Sequence, residues 1–137
     1  MTVRERSAGV VIFRRNSDIK YLLLKYDLGH WDFVKGNIEK GEKEKETVIR
    51  ETKEETGIDD LVFIPGFRER ITYFYRRGKE LVFKEVVFYL AETRKKDVVL
   101  SYEHADYVWL CFEDAINRLT YKNSKEVLKK AHKYLMS

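Results

Sequence analysis

Cysteine occurs once in this sequence of 137 residues, at Cys111, and proline once, at Pro65. A single thiol excludes an intramolecular disulfide, and its apolar setting in "YVWLCF" reads as a buried small hydrophobe, not a nucleophile. The lone proline falls where a strand bends or begins. Long apolar runs are missing too: "AGVVIF", from Ala8, is too short for a membrane span or for the core of a secretory leader, so no membrane partner is expected and a cytoplasmic location is the default. Neither charge sign is scarce. The 27 Lys and Arg against 23 Asp and Glu leave a net +4 that is spread along the chain, a lean toward phosphates that does not by itself make a nucleic-acid surface. Internal repeats, low-complexity tracts and linkers are also absent.

What is present is a globular composition, 44% hydrophobic and 36% charged, at a length that suits one domain over residues 1–137. Two runs, "AGVVIFRR" and "KYLLLKY", flank the turn-forming "NSD" and predict a hairpin. The loop "LGHWDFVKGN" follows. From Glu42 to Thr56 there is no Gly or Pro, and Gly57 stands where a left-handed cap ends many helices, so a helix is expected there. Two long runs rich in Val, Ile, Phe and Tyr around "RRGK" predict a second hairpin. "ADYVWLCF" reads as a strand and "EDAINRL" as a brief helix. "NSKEVLKKAHKYLM" reads as a final helix with Val127, Leu128, Ala131, Tyr134 and Leu135 on one face behind an Asn123 or Ser124 cap. Mixed strands with two main helices indicate an α/β layered domain.

The stretch "GNIEKGEKEKETVIRETKEETGI" carries seven glutamates. At about 100° per residue, Val48, Ile49, Thr52 and Thr56 form a buried stripe, with Glu51 and Glu55 on a neighbouring face and Glu54 beside them. Such like-charge pairs repel by a few tenths of a kcal/mol each (~0.2–0.5). A divalent cation would reverse that penalty, and hard carboxylate oxygens without a thiolate suit magnesium or manganese better than zinc. A solvated face neutralised by Lys43, Lys45 and Lys53 explains the same spacing equally well. Arg50, four residues before Glu54, fits either reading, as an ordinary ion pair or as a group that orients a catalytic carboxylate.

Read as Gly36, five residues, Glu42, seven residues, then Arg50-Glu51-Thr52-Lys53-Glu54-Glu55-Thr56-Gly57-Ile58, the stretch resembles the Nudix box of hydrolases acting on nucleoside diphosphates linked to another moiety. Every fixed position matches, with Thr52 where the motif asks for an aliphatic residue. The resemblance implies a Nudix fold, a mixed β-sheet between helices (α/β/α). It implies magnesium, or manganese in its place, on Glu51, Glu54 and Glu55 with the Gly36 carbonyl, and hydrolysis by attack of water on phosphorus. Glu54 is the first choice for general base, oriented by Arg50. Glu42 then supports the loop or the metal shell, and Glu39, Glu44 and Glu46 are left to solubility.

Outside the box the chain is similar to the asymmetrically cleaving diadenosine tetraphosphate hydrolases, through "HWDFVKGNIEKGE", "ITYFYRRGKELVFKEVVFYLAE", "SYEHADYVWL" and "LTYKNSKEVLKKAHKYL". That similarity implies phosphate contacts from His30, Lys35 and Lys84, nucleotide contacts from Tyr73 (with Tyr75 as its stand-in) and Tyr121, and a further glutamate, Glu103, for the metal or the catalytic water. Each has a plainer alternative: His30 packed on Trp31, Lys35 and Lys84 solvated, the tyrosines part of the core or surface. Prolines usual before and inside the box are replaced by Phe33-Val34 and Lys40, which leaves loop rigidity and substrate choice open. The expected reaction is metal-dependent cleavage of diadenosine tetraphosphate to ATP and AMP. The alternatives are another Nudix substrate (a damaged nucleoside triphosphate, a capped RNA end or an inositol pyrophosphate) and a non-catalytic nucleotide sensor. Arg76, Arg77 and Lys79 at the hairpin turn would serve RNA binding only if they are not simply solvated. The sequence carries no signal for oligomeric state.

Overall fold

Strand β1 (Thr2–Arg15) organises the molecule, and its seven residues from Ser7 to Phe13 are all buried. A strand covered on both faces needs apolar side chains on both. Ala8, Val10 and Ile12 point to one face, and Val11 and Phe13 to the other. The computed structural model describes residues 2–137.

β1 runs parallel to β7 (Glu80–Glu92) from Thr2↔Leu81 to Phe13↔Glu92. Its opposite edge meets two antiparallel partners in turn: β4 (Val34–Asn37) at residues 7 to 10, then β2 (Ile19–Tyr26) at residues 13 to 15. The sheet therefore splays between β4 and β2, and the β2–β4 connection crosses that split. β3 (Trp31–Asp32) and β8 (His104–Leu110) pair with β2, while β5 (Val62–Phe63) and β6 (Glu69–Arg77) pair with β7.

Helix α1 (Glu44–Thr56) covers the Ala8, Val10 and Ile12 face through Val48, with Ile58 just beyond its end. α2 (Phe112–Arg118) and α3 (Lys122–Met136) cover the Val11 and Phe13 face through Ala115, Leu128 and Ala131. A mixed sheet between helices is the α/β/α architecture expected from the sequence. Among the described residues no helix is long and apolar enough to cross a membrane.

Several local expectations need correcting. α1 starts at Glu44, not Glu42, because Lys43 is its N-cap and the Glu46 carboxylate accepts the Lys43 N–H at 2.8 Å. Gly57 does close the helix, at φ 76°, donating to the Lys53 carbonyl. Ile49 is not in the buried stripe: it is 51% exposed, while Glu55 is inside at 4%. Glu44 is not a free solubilising charge, for Arg6, Arg68 and the Tyr89 hydroxyl all donate to it. Neither Asn123 nor Ser124 caps α3; Tyr121 stands at its N-cap and Ser124 is buried. Tyr134 lies at the edge of the apolar face, its hydroxyl donating to the Pro65 carbonyl at 2.5 Å. Cys111 is only half-buried and its thiol faces Asp114.

Candidate active site

Helix α1 lies beside β4, so the box glutamates face the glycine that precedes them. A side chain at Gly36 would collide with the Glu51 carboxylate, which is why this position has no Cβ. Arg50 locks the intervening loop to the helix. Its Nε and Nη2 donate to Glu42 at 2.7 and 3.0 Å, Nη1 donates to Glu51 at 2.8 Å, and Nη2 reaches the Asn37 carbonyl at 3.1 Å. A planar guanidinium suits this multidentate role in a way an ammonium does not. Glu42 also accepts from the Thr47 hydroxyl, and the Arg50 and Thr47 hydrogen bonds hold its pKa down to about 2. The link from Arg50 to Glu54, at 3.3 Å, is the weaker one.

The other glutamates sit in contrasting settings. Burial raises the pKa of Glu51 against the pull of Arg50, and burial raises Glu55 to about 6. Glu55 Oε1 lies 2.6 Å from His104 Nε2, whereas its Oε2 is buried without a partner among the described residues. A buried carboxylate oxygen that accepts nothing is costly unless something outside the chain completes it. Glu54 is exposed, as is Glu103 on the segment entering β8. The donor atoms of Glu55, Glu103 and His104 all lie within 4.8 Å of one another, but His104 Nε2 is already turned to Glu55. The open donors are thus carboxylate oxygens, a set that fits a hard divalent cation.

These groups line a cleft of about 570 Å³, shared with Lys35, Tyr73, Tyr75 and Lys84. Alternation along β6 turns Ile71, Tyr73 and Tyr75 to one side. Burial opposes the charge on Lys35, but Asp32 and Tyr73 together outweigh it and its pKa is raised. Lys84 is pushed down by burial and held by Glu5 and Asn37, at 3.3 and 2.9 Å. Glu5 also accepts from Tyr75 at 2.7 Å and from Arg77 at 2.5 Å. Arg77 is therefore partnered, not a free cation at the hairpin turn.

A second cavity, of about 580 Å³, adjoins the first at Lys35, Tyr73 and Tyr75 and ends on His30 and Tyr121. His30 does not pack on Trp31. It stacks on Tyr26 with centroids 4.6 Å apart and planes 7° apart, and tilts against Tyr121 at 5.4 Å. Its place is in the aromatic cavity, and it does not line the acidic cleft.

The residues singled out in the sequence thus come together around two adjoining cavities, with Arg50 behind the glutamates. His104, Asp32, Asn37, Glu5 and Tyr26 were not anticipated. His104 adjoins a residue singled out in the sequence, Glu103, and both bring donor atoms to Glu55.

The family model for the NUDIX domain matches residues 3–131. The chain is 39% identical to a Mus musculus bis(5'-nucleosyl)-tetraphosphatase [asymmetrical], with 96% of each chain covered. It is 37% identical to the Caenorhabditis elegans protein of that name, covering 95% of this chain and 96% of the other. The crystal structure of a C. elegans Ap4A hydrolase binary complex superposes with a TM-score of 0.84 at 34% identity, over 96% of this chain and 98% of that one.

Proposed function

The chain belongs to the NUDIX family, and on that premise we propose that it is a metal-dependent hydrolase that cuts diadenosine tetraphosphate into ATP and AMP. The observation that carries this reading is the junction of an acidic cleft with an aromatic cavity at Lys35 and Tyr73. A dinucleoside polyphosphate has that layout: a long anionic chain with a purine at its end.

Glu51, Glu54, Glu55, Glu103 and the Gly36 carbonyl would hold magnesium, or manganese in its place, which when bound neutralises phosphate oxygens and acidifies water. Glu54, exposed and the least engaged of the helix carboxylates, takes the proton of the attacking water at a carboxylate oxygen. Arg50 keeps Glu51 and Glu54 at fixed separation through one nitrogen, Nη1. Glu55 is held by His104 from the protein side. Lys35 and Lys84 bring ammonium groups to the polyphosphate, and charge-assisted contacts of this kind are stronger than neutral ones. Tyr73, Tyr75, His30 and Tyr121 offer ring faces to the nucleoside. We further take residues 1–137 as one Nudix domain acting in the cytoplasm on a small-molecule nucleotide.

All box glutamates are present, which argues against a non-catalytic sensor. The substrate assignment is tested by a panel of kcat/KM values for diadenosine tetraphosphate, an oxidised nucleoside triphosphate, a capped RNA and an inositol pyrophosphate. Diadenosine tetraphosphate is expected to lead by at least about a hundredfold, below the ~10⁴–10⁵ that a fully matched polar site can reach. A better rate on any other member reassigns the substrate.

A further inference from the structure

Asp32 is 1% exposed and takes no part in the acidic cleft, so its burial needs another account. An ionised carboxylate is tolerated inside a protein only when it is paired and hydrogen-bonded. Asp32 is both. Its Oδ1 accepts from the Phe33 N–H and from the Ser124 hydroxyl, each at 2.8 Å, and its Oδ2 lies 3.2 Å from the Lys35 ammonium.

One side chain therefore joins three segments: the loop before the box, the first turn of α3, and the lysine at the meeting point of the two cavities. Two further hydrogen bonds reinforce the union, since the Trp31 N–H donates to the Thr120 hydroxyl at 2.8 Å and the Thr120 N–H to the Trp31 carbonyl at 3.3 Å. The loop contains no proline to stiffen it, and the Phe33 N–H that a proline would lack is the one Asp32 uses. Tyr121 is the N-cap of the helix that Ser124 anchors, so the same carboxylate that holds Lys35 also fixes where that ring stands.

We propose that Asp32 is a positioning residue: it holds the Lys35 ammonium at the junction of the cavities and sets its distance from Tyr121, so that polyphosphate and base are bound in fixed register. This rests on the reading of Lys35 as a phosphate contact. A lysine has a flexible four-carbon stem, and without a fixed counter-charge its ammonium is free to leave the junction. Pre-ordering it removes an entropic cost from binding.

The test is calorimetric binding of a methylene-bridged, non-hydrolysable diadenosine tetraphosphate analogue to the full chain. Wild type, Asp32→Asn, Lys35→Met, the double variant and Ser124→Ala are compared, with near-ultraviolet circular dichroism to establish folding. Asp32→Asn and Lys35→Met each weaken binding about tenfold, but Asp32→Asn adds less than about twofold in the Lys35→Met background, because it acts through that lysine. Ser124→Ala weakens the analogue while leaving inorganic tripolyphosphate unaffected, a split that general loosening of the fold would not give. Asp32→Asn and Lys35→Met effects that multiply, or no effect of Asp32→Asn, overturn the proposal while leaving Lys35 in place. No effect of Lys35→Met removes the phosphate contact and the proposal with it, and no binding to wild type removes the substrate reading itself.

Discussion

His104 holds Glu55 from the protein side: its Nε2 lies 2.6 Å from Glu55 Oε1, with both side chains buried and the second oxygen of Glu55 left without a partner among the described residues. Burying a carboxylate oxygen that accepts no hydrogen bond carries a desolvation cost.

The cost is visible in metal-free protein. Burial raises Glu55 to about 6 in the fold, above the ordinary glutamate value of 4.5, so the folded state binds this proton more tightly than the unfolded chain. The favourable term is complete below pH 4.5 and lost as pH rises through 6. Glu55→Gln therefore stabilises the metal-free protein by about 1 kcal/mol at pH 7.5, shows little gain at pH 4, and loses hydrolysis. Thermal unfolding in chelator at the two pH values, beside an activity assay, reads both effects; an equal gain at both pH values would contradict the cause given.

Glu54 and Arg50 separate by kinetics. Glu54→Gln lowers kcat by roughly a hundredfold or more with little change in KM, the signature of a lost proton acceptor. Arg50→Lys breaks the contacts to Glu42 and Glu51 together, so it lowers kcat and also destabilises the fold by about 2 kcal/mol. Steady-state rates combined with urea unfolding distinguish the two patterns.

The box was legible in the sequence because its chemistry is written along one helix and the loop before it, with spacing that survives as a pattern. The rest was not, because it acts across the chain: His104 reaches Glu55 over 49 residues, Asp32 meets Ser124 over 92, and Tyr75 meets Glu5 over 70. No local periodicity records such meetings. The helix faces were misjudged at Ile49 for a related reason. Hydrophobicity alone rotates Ile49 inward, but the helix turns Glu51 and Glu55 toward the cleft, and Ile49 is left in solvent. Both hairpins and the layered architecture followed from alternation and turn chemistry, as β1 with β2 and β6 with β7 show.

Glu5 supplies an acid-labile part of the stability. Hydrogen bonds from Tyr75 and Arg77, with Lys84 nearby, hold its pKa near 2. A depressed pKa gives stabilisation that is complete above the unfolded value of about 4.5 and lost as pH falls toward 2. Glu5→Gln costs about 1 kcal/mol at pH 7, modest because the cluster is partly solvated, and the difference from wild type closes near pH 2. Denaturant midpoints across that range measure it.

Tyr121 is half-exposed and lines the aromatic cavity, and the proposed function gives it the purine to stack on. Tyr121→Ala raises KM for diadenosine tetraphosphate by about tenfold, within the ~1–3 kcal/mol that base stacking contributes. Manganese binding, measured by calorimetry, is unchanged.

The most direct measurement is the product analysis. The purified protein is incubated with diadenosine tetraphosphate and magnesium, and the nucleotides are resolved by ion-exchange chromatography from the first turnovers onward. ATP and AMP are expected in equal amounts, abolished by chelator. Two molecules of ADP, or no turnover with magnesium or manganese present, would contradict the proposed cleavage.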